Sequence, residues 1–598
     1  MAGEAAEAAA PQGARRRANR LVFWSAVFAI VATTLAATEA RVPHPDLAFY
    51  LYAAARVLDG AVLYRDIVEI NPPLIIWLNL PAVLLGRLLG ISDTLAYWLI
   101  VSLVIGAILV LSHRIASRLR FEGTTAGARY VLLLLWFALF PLARGDFGQR
   151  EHLVLAFLLP YLLLAGTRLQ GAHGSAREAL VVGMLAGIGL SLKPHFLLAW
   201  LAIEAFRRAG ANAARWRLTP ELVGVALSVG CYLAAVVALT PDYFQVIAVL
   251  GRAYTSFMRR SLLDVTLLAP AVPLVLFALL AFIVHRRYAS STTLASLFAA
   301  AILGAYASAA VQQKGFTYHY YPAVALAVTL LALIASGRSL PTNWIARAYV
   351  RLARAVAITT AVMAAGATLF DAIRPRQEEA RALAGLGSVV RARAHGTPVG
   401  VLSYTINSAF PLMNEAGTTL ASRFPCLWPL ATSYWDSLKA GGQLRYHTPT
   451  EMGPAERFMW NAVRDDLVRA RPNVLVILRP GRDVAHNGLR RLNYAAYFGR
   501  RPELAEFLSS YQLIEGQGEY LIYERVEADA ARIGPPPSFE PGQLEAPRPT
   551  TPDLGIDLVD GYSRARLIVF GLVWMGVLMF ERRWAVARSI VGDASGPA

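Results

Sequence analysis

The chain has 598 residues, of which 56% are hydrophobic and only 16% charged. That balance excludes an ordinary soluble domain and points to a polytopic membrane protein. The formal charge of +17 sits mostly in arginines flanking apolar segments, as the bias of basic residues toward cytoplasmic loops requires, so it does not indicate nucleic-acid binding.

Arg15, Arg16 and Arg17 precede an apolar run over 21–40. The layout is that of a signal peptide, but about 20 residues suffice to span a bilayer, so an uncleaved first helix with a cytoplasmic N-terminus is expected. The next stretch, HPDLAFYLYAAARVLDGAVLYRDIVEINPP, carries Asp46, Asp66 and Glu69, with Asp59 in an Asp-Gly turn. Leu47, Leu51, Ala54 and Leu58 recur at helical spacing, which predicts an amphipathic helix over 46–58 lying in the membrane interface. Asp46 falls in its first turn, where the helix dipole favours a carboxylate. Capping alone would explain Asp46 in isolation.

If residues 72–90 spanned the membrane, the basic segment SHRIASRLR would lie outside, against the positive-inside bias. A short interfacial or re-entrant helix broken at Pro81 is expected instead. Further spans are expected near 94–113, 127–142, 152–168, 178–192, 195–206, 220–239, 265–284, 292–311, 321–335, 353–370 and 565–580. The total is about twelve, with both termini cytoplasmic.

Residues 1–371 thus form a membrane unit, and 563–598 a last helix and cytoplasmic tail. Between them, 372–562 reads as an exterior α/β domain. Its strand candidates lie near 397–404, 473–478 and 519–526, and its helices near 376–394 and 454–470, with a parallel sheet possible. Residues 532–555 are Pro-rich and read as a linker. The two cysteines, Cys231 and Cys426, lie in an apolar run and in the polar region, and no disulfide is expected. No His/Cys spacing suggests zinc, and no cofactor is called for.

Under this topology the polar residues converge on the outer face. Asp46, Asp66, Glu69 and Asn71 form the first group. Arg144, Asp146, Gln149, Arg150, Glu151 and His152, in RGDFGQREH, form the second. A solvated turn would account for that run, but Glu151 and His152 begin the following span. Lys193 and His195 come from SLKPH; Lys193 either snorkels to the interface or contacts a phosphate. Lys314, Tyr318, His319 and Tyr320 come from QQKGFTYHYY, whose aromatics suit an interface belt, a sugar platform or a prenyl groove. The outer loop with Arg252, Arg259 and Arg260 breaks the charge rule and suits an anionic ligand. Ionisable groups near membrane depth are costly and are usually functional or paired.

One span, an acidic outer loop and then Asn71-Pro72-Pro73-Leu74 before an apolar helix resembles the GT-C superfamily of integral membrane glycosyltransferases. The protein O-mannosyltransferases and lipid A aminoarabinose transferases belong to it. Many members carry an Asp-Glu pair after the first span and a Lys-Pro-Pro-Leu. Here Asp46 matches the first acid, Leu47 stands in place of the Glu, and Asn71 replaces the Lys. Asp146 matches an acid of the second outer loop.

The resemblance implies a polyprenyl-phosphate sugar donor used on the exterior face of a bacterial inner membrane, and an envelope glycan, lipid or protein acceptor. It makes Asp46 the general base and Asp146 the second candidate. Arg259, Arg260, Lys193 and Lys314 become candidates for the leaving phosphate, with His319 as a hydrogen-bond donor. Asp66, Glu69, Asn71, Gln149, Arg150, Glu151, His152, His195 and Tyr318 complete the expected substrate site. Two other readings stay open. A transporter or lipid flippase would need polar residues in span centres, which are mostly Leu, Val, Ala and Ile here. The other is a non-catalytic scaffold of envelope assembly.

Overall fold

A computed structural model describes residues 42–526 except 122–126, 210–217, 290–291, 338–342, 374–376, 441–443, 482–488 and 518. The expected segments at 21–40 and 565–580 and the linker at 532–555 lie outside the described residues. The longer helices of the membrane unit are α1 (Pro45–Leu58), α2 (Leu74–Leu89), α3 (Asp93–Ala116), α4 (Ala128–Leu139), α5 (Arg150–Leu169), α6 (Ala176–Ser191) and α7 (Leu197–Ala209). They continue with α8 (Pro220–Leu239), α9 (Asp242–Ser256), α10 (Val272–His285), α11 (Thr293–Val311), α12 (Tyr321–Ala335) and α13 (Trp344–Ile373).

A helix therefore occupies every segment expected to span between 94 and 370. Among the described residues, five stretches have the length and apolarity to cross a membrane unaided: Asp93–Ala116, Arg150–Leu169, Pro220–Leu239, Thr293–Val311 and Thr317–Ala335. α5 and the 317–335 stretch are buried on nearly all sides and form the centre of the bundle, whereas α8 is apolar all round and mostly uncovered. A helix that is apolar on every face and uncovered by protein suits contact with lipid.

Helix packing relies on small residues. A Cβ on Gly183 of α6 would lie 1.9 Å from the Glu221 carbonyl oxygen of α8, and one on Gly224 would lie 2.3 Å from the Leu180 carbonyl oxygen. Without side chains at these points the two backbones approach closely, the usual mode of association between membrane helices.

The two ends of the bundle differ. At the end holding the C-terminus of α5, Arg168 pairs with Glu221 at 3.3 Å, Arg118 pairs with Glu178, and Glu204 receives Arg207 and Arg208. The opposite end holds the N-terminus of α5 and is covered by the C-terminal region.

One expectation is corrected. Pro81 does not break its helix: α2 runs through it for 16 residues. One ladder hydrogen bond is lost, which membrane helices tolerate. α1 is buried beyond its expected apolar stripe of Leu47, Leu51 and Ala54. Leu47, Ala48, Phe49, Tyr50, Leu51, Ala53 and Ala54 are all buried. The cover comes from the C-terminal region: Phe410 packs on Phe49 and Tyr52 at 5.3 and 5.0 Å. The Asn414 amide donates to the Ala48 carbonyl at 3.1 Å, and the Tyr52 hydroxyl accepts from the Leu420 N–H at 2.9 Å.

The C-terminal region contains α14 (Gln377–Ala394) and α15 (Pro454–Ala470), both where expected. Its sheet has β1 (Gly400–Leu402), β2 (Val474–Leu478), β3 (Tyr511–Gln517) and β4 (Tyr520–Arg525) in the order β1-β2-β4-β3. The β1–β2 pair is parallel, with Val401 opposite Val476. β4 is antiparallel to both neighbours. The sheet is therefore mixed: the hairpin of β3 and β4 returns the chain beside β2.

Candidate active site

The site assembles at the covered end of the bundle from four separate connections. α1 begins with Pro45, whose fixed φ suits a first helical turn. The His44 ring nitrogen Nδ1 accepts from the Asp46 N–H at 3.2 Å and caps the helix. This leaves the Asp46 carboxylate to an outside partner: Arg150 Nη2 lies 3.6 Å from Asp46 Oδ2. The same guanidinium stands over the Tyr50 ring at 5.2 Å, one turn along the face of α1 that holds Asp46.

Arg150 and Glu151 are the first residues of α5, and the turn before them is fixed by glycine. Gly148 has φ +80°, and a Cβ there would strike the Tyr97 ring at 2.5 Å. Tyr97 donates to the Gly148 carbonyl at 2.6 Å, and the Gly148 N–H donates to His152 Nδ1 at 2.9 Å. His152 Nε2 reaches the Leu139 carbonyl at 2.8 Å. Both ring nitrogens of His152 are thus engaged by backbone, and its position holds the turn.

Glu151 is fully buried and pairs with Lys193, Oε1 to Nζ, at 2.6 Å. His319 Nε2 is 3.9 Å from the same oxygen. Lys193 Nζ also lies 3.5 Å from Gln312 Oε1 and within 6 Å of the Phe196 and Tyr318 rings, at 5.8 and 5.9 Å. Tyr318 meets the His44 ring edge-on at 5.9 Å. Burial, with Arg150 close by, lowers Lys193 to about 8 against the pull of Glu151.

Glu69 belongs to the same neighbourhood, but its Oε1 is occupied. It accepts from the Ile70 N–H at 2.8 Å, the Asn71 N–H at 2.7 Å and the Asn71 side chain at 2.5 Å. Burial raises Glu69, while the Asn71 hydrogen bonds and Arg150 oppose the rise. Asp146, in the 3-10 turn before α5, is pushed up to about 6 by burial and by the Glu151 charge.

Other candidates lie apart or are engaged. Lys314 donates to the carbonyls of Tyr254, at 2.7 Å, and Phe257, which ties down the end of α9. Arg259 is exposed and donates to Gln313 Oε1 at 2.7 Å, and Arg260 bonds through its backbone to the Gln313 carbonyl. Asp66 points away from Asp46: it accepts from the Val62 N–H at 2.8 Å and lines a cavity on the other flank of α1. Sequence reasoning missed Tyr50, Gln312 and His44. The four-residue spacing from Asp46 marks Tyr50; Gln312 and His44 carry no such signal.

Several buried polar atoms of the cluster have no partner among the described residues: Nε and Nη1 of Arg150, Oε2 of Glu151, both amide atoms of Gln149, and ring nitrogens of His195 and His319. Leaving such atoms unsatisfied is costly, which suits a site completed by water or a polar ligand. Among the described residues no group of three His, Cys, Asp or Glu side chains is arranged to hold a metal ion.

Neither a family model nor a curated protein matches the chain. Among solved structures, ArnT from Cupriavidus metallidurans bound to undecaprenyl phosphate aligns at TM-score 0.53 and 13% identity, over 85% of this chain and 98% of its own. Its apo state aligns at 0.51 and 14%, over 86% and 98%. The chain shares the fold of ArnT. At such low identity the likeness is one of architecture, and activity does not transfer with it. The mycobacterial arabinofuranosyltransferase AftD aligns at TM-score 0.44 and 15% identity, over 84% of this chain and 40% of its own. Within this shared fold, the Asp46 cluster sits where α1 and the start of α5 meet beneath the C-terminal region.

Proposed function

We infer that the chain moves a sugar from a polyprenyl-phosphate donor to an envelope acceptor on the exterior face of the membrane. The observation that carries the reading is the buried charge cluster Asp46–Arg150 and Glu151–Lys193, with polar atoms still unpartnered. The fold shared with ArnT, a protein solved with undecaprenyl phosphate, supports the donor class. The arginine-rich opposite end supports an orientation with the cluster outside.

Asp46 takes the proton from the acceptor hydroxyl as its oxygen bonds the anomeric carbon. The bond from that carbon to the phosphate oxygen breaks, its electron pair leaves with polyprenyl phosphate, and the anomeric centre inverts. Arg150 and Lys193 stabilise the departing anion. Arg150 keeps two unpartnered nitrogens, and Lys193 lies in the same buried cluster, paired with Glu151; Lys314 is instead tied to the carbonyls of Tyr254 and Phe257. Arg259 and Arg260 meet the anion from the solvent side, and His319 donates to it. Asp146 orients the acceptor.

The test is mass spectrometry of envelope glycans from cells with and without the protein. Loss of one sugar with accumulation of its lipid-linked form supports the reading. An unchanged glycan profile, with labelled lipid-linked sugar crossing vesicles that hold only this protein, replaces it with transport.

A further inference from the structure

A second site lies on the other flank of α1. Asp46 and Tyr50 are four residues apart and share one face, while Phe49, Tyr52 and Arg56 share another about 100° round the helix. That second face borders a cavity of about 180 Å³ between the 61–70 loop and the C-terminal region. Arg56, Arg65, Arg423 and Arg469 line it, against two acids, Asp66 and Asp466, which leaves a formal charge of +2.

The acids do not use up the arginines. Asp466 is committed to Arg423, through Nε at 2.9 Å and Nη2 at 2.7 Å, and lies 4.0 Å from Arg469. One oxygen of Asp66 is taken by the Val62 N–H. The side chains of Arg56 and Arg65 have no hydrogen bond or ion pair among the described residues, and Arg56 Nε is buried without a partner. Like charges brought together without counter-charge repel unless an anion joins them. Arginine forks match phosphate oxygens in charge and in geometry.

We propose that this cavity binds a phosphate-class dianion. The anion is either free phosphate or the phosphomonoester headgroup of a lipid, gripped by Arg56 and Arg65 opposite the Arg423–Asp466 pair. It bridges two parts of the chain. The Val68 N–H already donates to the Arg423 carbonyl at 2.8 Å, so an anion held there fastens the loop that carries Glu69 and Asn71. The inference rests on the cavity and its charges alone, independent of glycosyl transfer.

The test uses the full chain in detergent and follows its thermal midpoint. Inorganic phosphate raises the midpoint saturably, and chloride at equal ionic strength does not. Arg65→Gln, an exposed position, and Arg56→Gln/Arg65→Gln keep the unliganded midpoint and raise the half-saturating phosphate concentration at least about tenfold, as loss of charge-assisted bonds requires. Vesicles of phosphatidylcholine with and without phosphatidic acid form the second arm. Stabilisation by phosphatidic acid alone assigns the site to a lipid headgroup; stabilisation by both probes assigns it to phosphate itself. If neither probe stabilises the wild-type chain, if chloride matches phosphate, or if the variants respond as wild type does, the proposal falls.

Discussion

Arg150 meets Asp46 across two elements, α5 and α1, at 3.6 Å, too far for a tight hydrogen bond and near enough to hold both charges. The carboxylate is thereby fixed in direction without being consumed by a second donor. A general base needs that combination of orientation and a free lone pair.

Asp46→Asn keeps size and hydrogen bonding but removes the base. Sugar transfer in membranes should fall by about 100-fold or more, the usual share of a positioned base, with protein level unchanged. Labelled-sugar incorporation into envelope material, alongside immunoblotting, measures both; near-native incorporation would sink the assignment of Asp46.

Lys193→Met should strongly destabilise the chain, because Glu151 has no exposure to water and loses its partner. Orphaning one member of a buried pair costs about 3–5 kcal/mol. The double variant Lys193→Met/Glu151→Gln should recover most of the thermal midpoint while staying inactive. A double variant no more stable than the single would contradict a pair held mainly by charge.

Asp146 gives a pH signature. Its carboxyl is raised to about 6 in the folded chain, above the ordinary value of about 4. The charged form is thus penalised on folding: the cost is present above about pH 6 and vanishes as pH falls below the unfolded value. Asp146→Asn should raise the thermal midpoint at pH 7.5 and lose that advantage by about pH 4. An advantage that is constant over this range would mean that burial of the ionised form is not its source.

Gly183→Ala or Gly224→Ala should separate α6 from α8, since the added methyl would overlap a backbone oxygen. Backbone cannot yield as a side-chain tip does, so poor accumulation and a lowered midpoint are expected. Gly230→Ala, where a Cβ meets nothing within 4 Å, is the control on the same helix and should behave as wild type.

Much of the site was legible because charge is conspicuous beside apolar runs. Arg150, Glu151 and Lys193 stand at the edges of segments rich in Leu and Ala, where an ionisable side chain is expensive. Asp46 was legible from its place in a first turn. What could not be read was the company these residues keep. His152 looked like a ligand contact, but the Leu139 carbonyl 13 positions earlier takes one nitrogen and the Gly148 N–H the other. The burial of α1 was hidden for a similar reason: its cover, Phe410 and Leu420, is remote in sequence. β3 escaped notice because YQLIEGQ is largely polar, as an edge strand can be.

That remoteness has a bearing on how the chain is made. Asn414 and Leu420 touch partners on α1 that lie 366 and 368 positions earlier. At about 5–20 residues per second, α1 emerges from the ribosome on the order of half a minute before the groups that cover it exist. During that interval Phe49 and Tyr52 lack their final neighbours. α1 therefore reaches its finished packing only after residue 420 has been made, and truncation before residue 410 would strand it in an unfinished state.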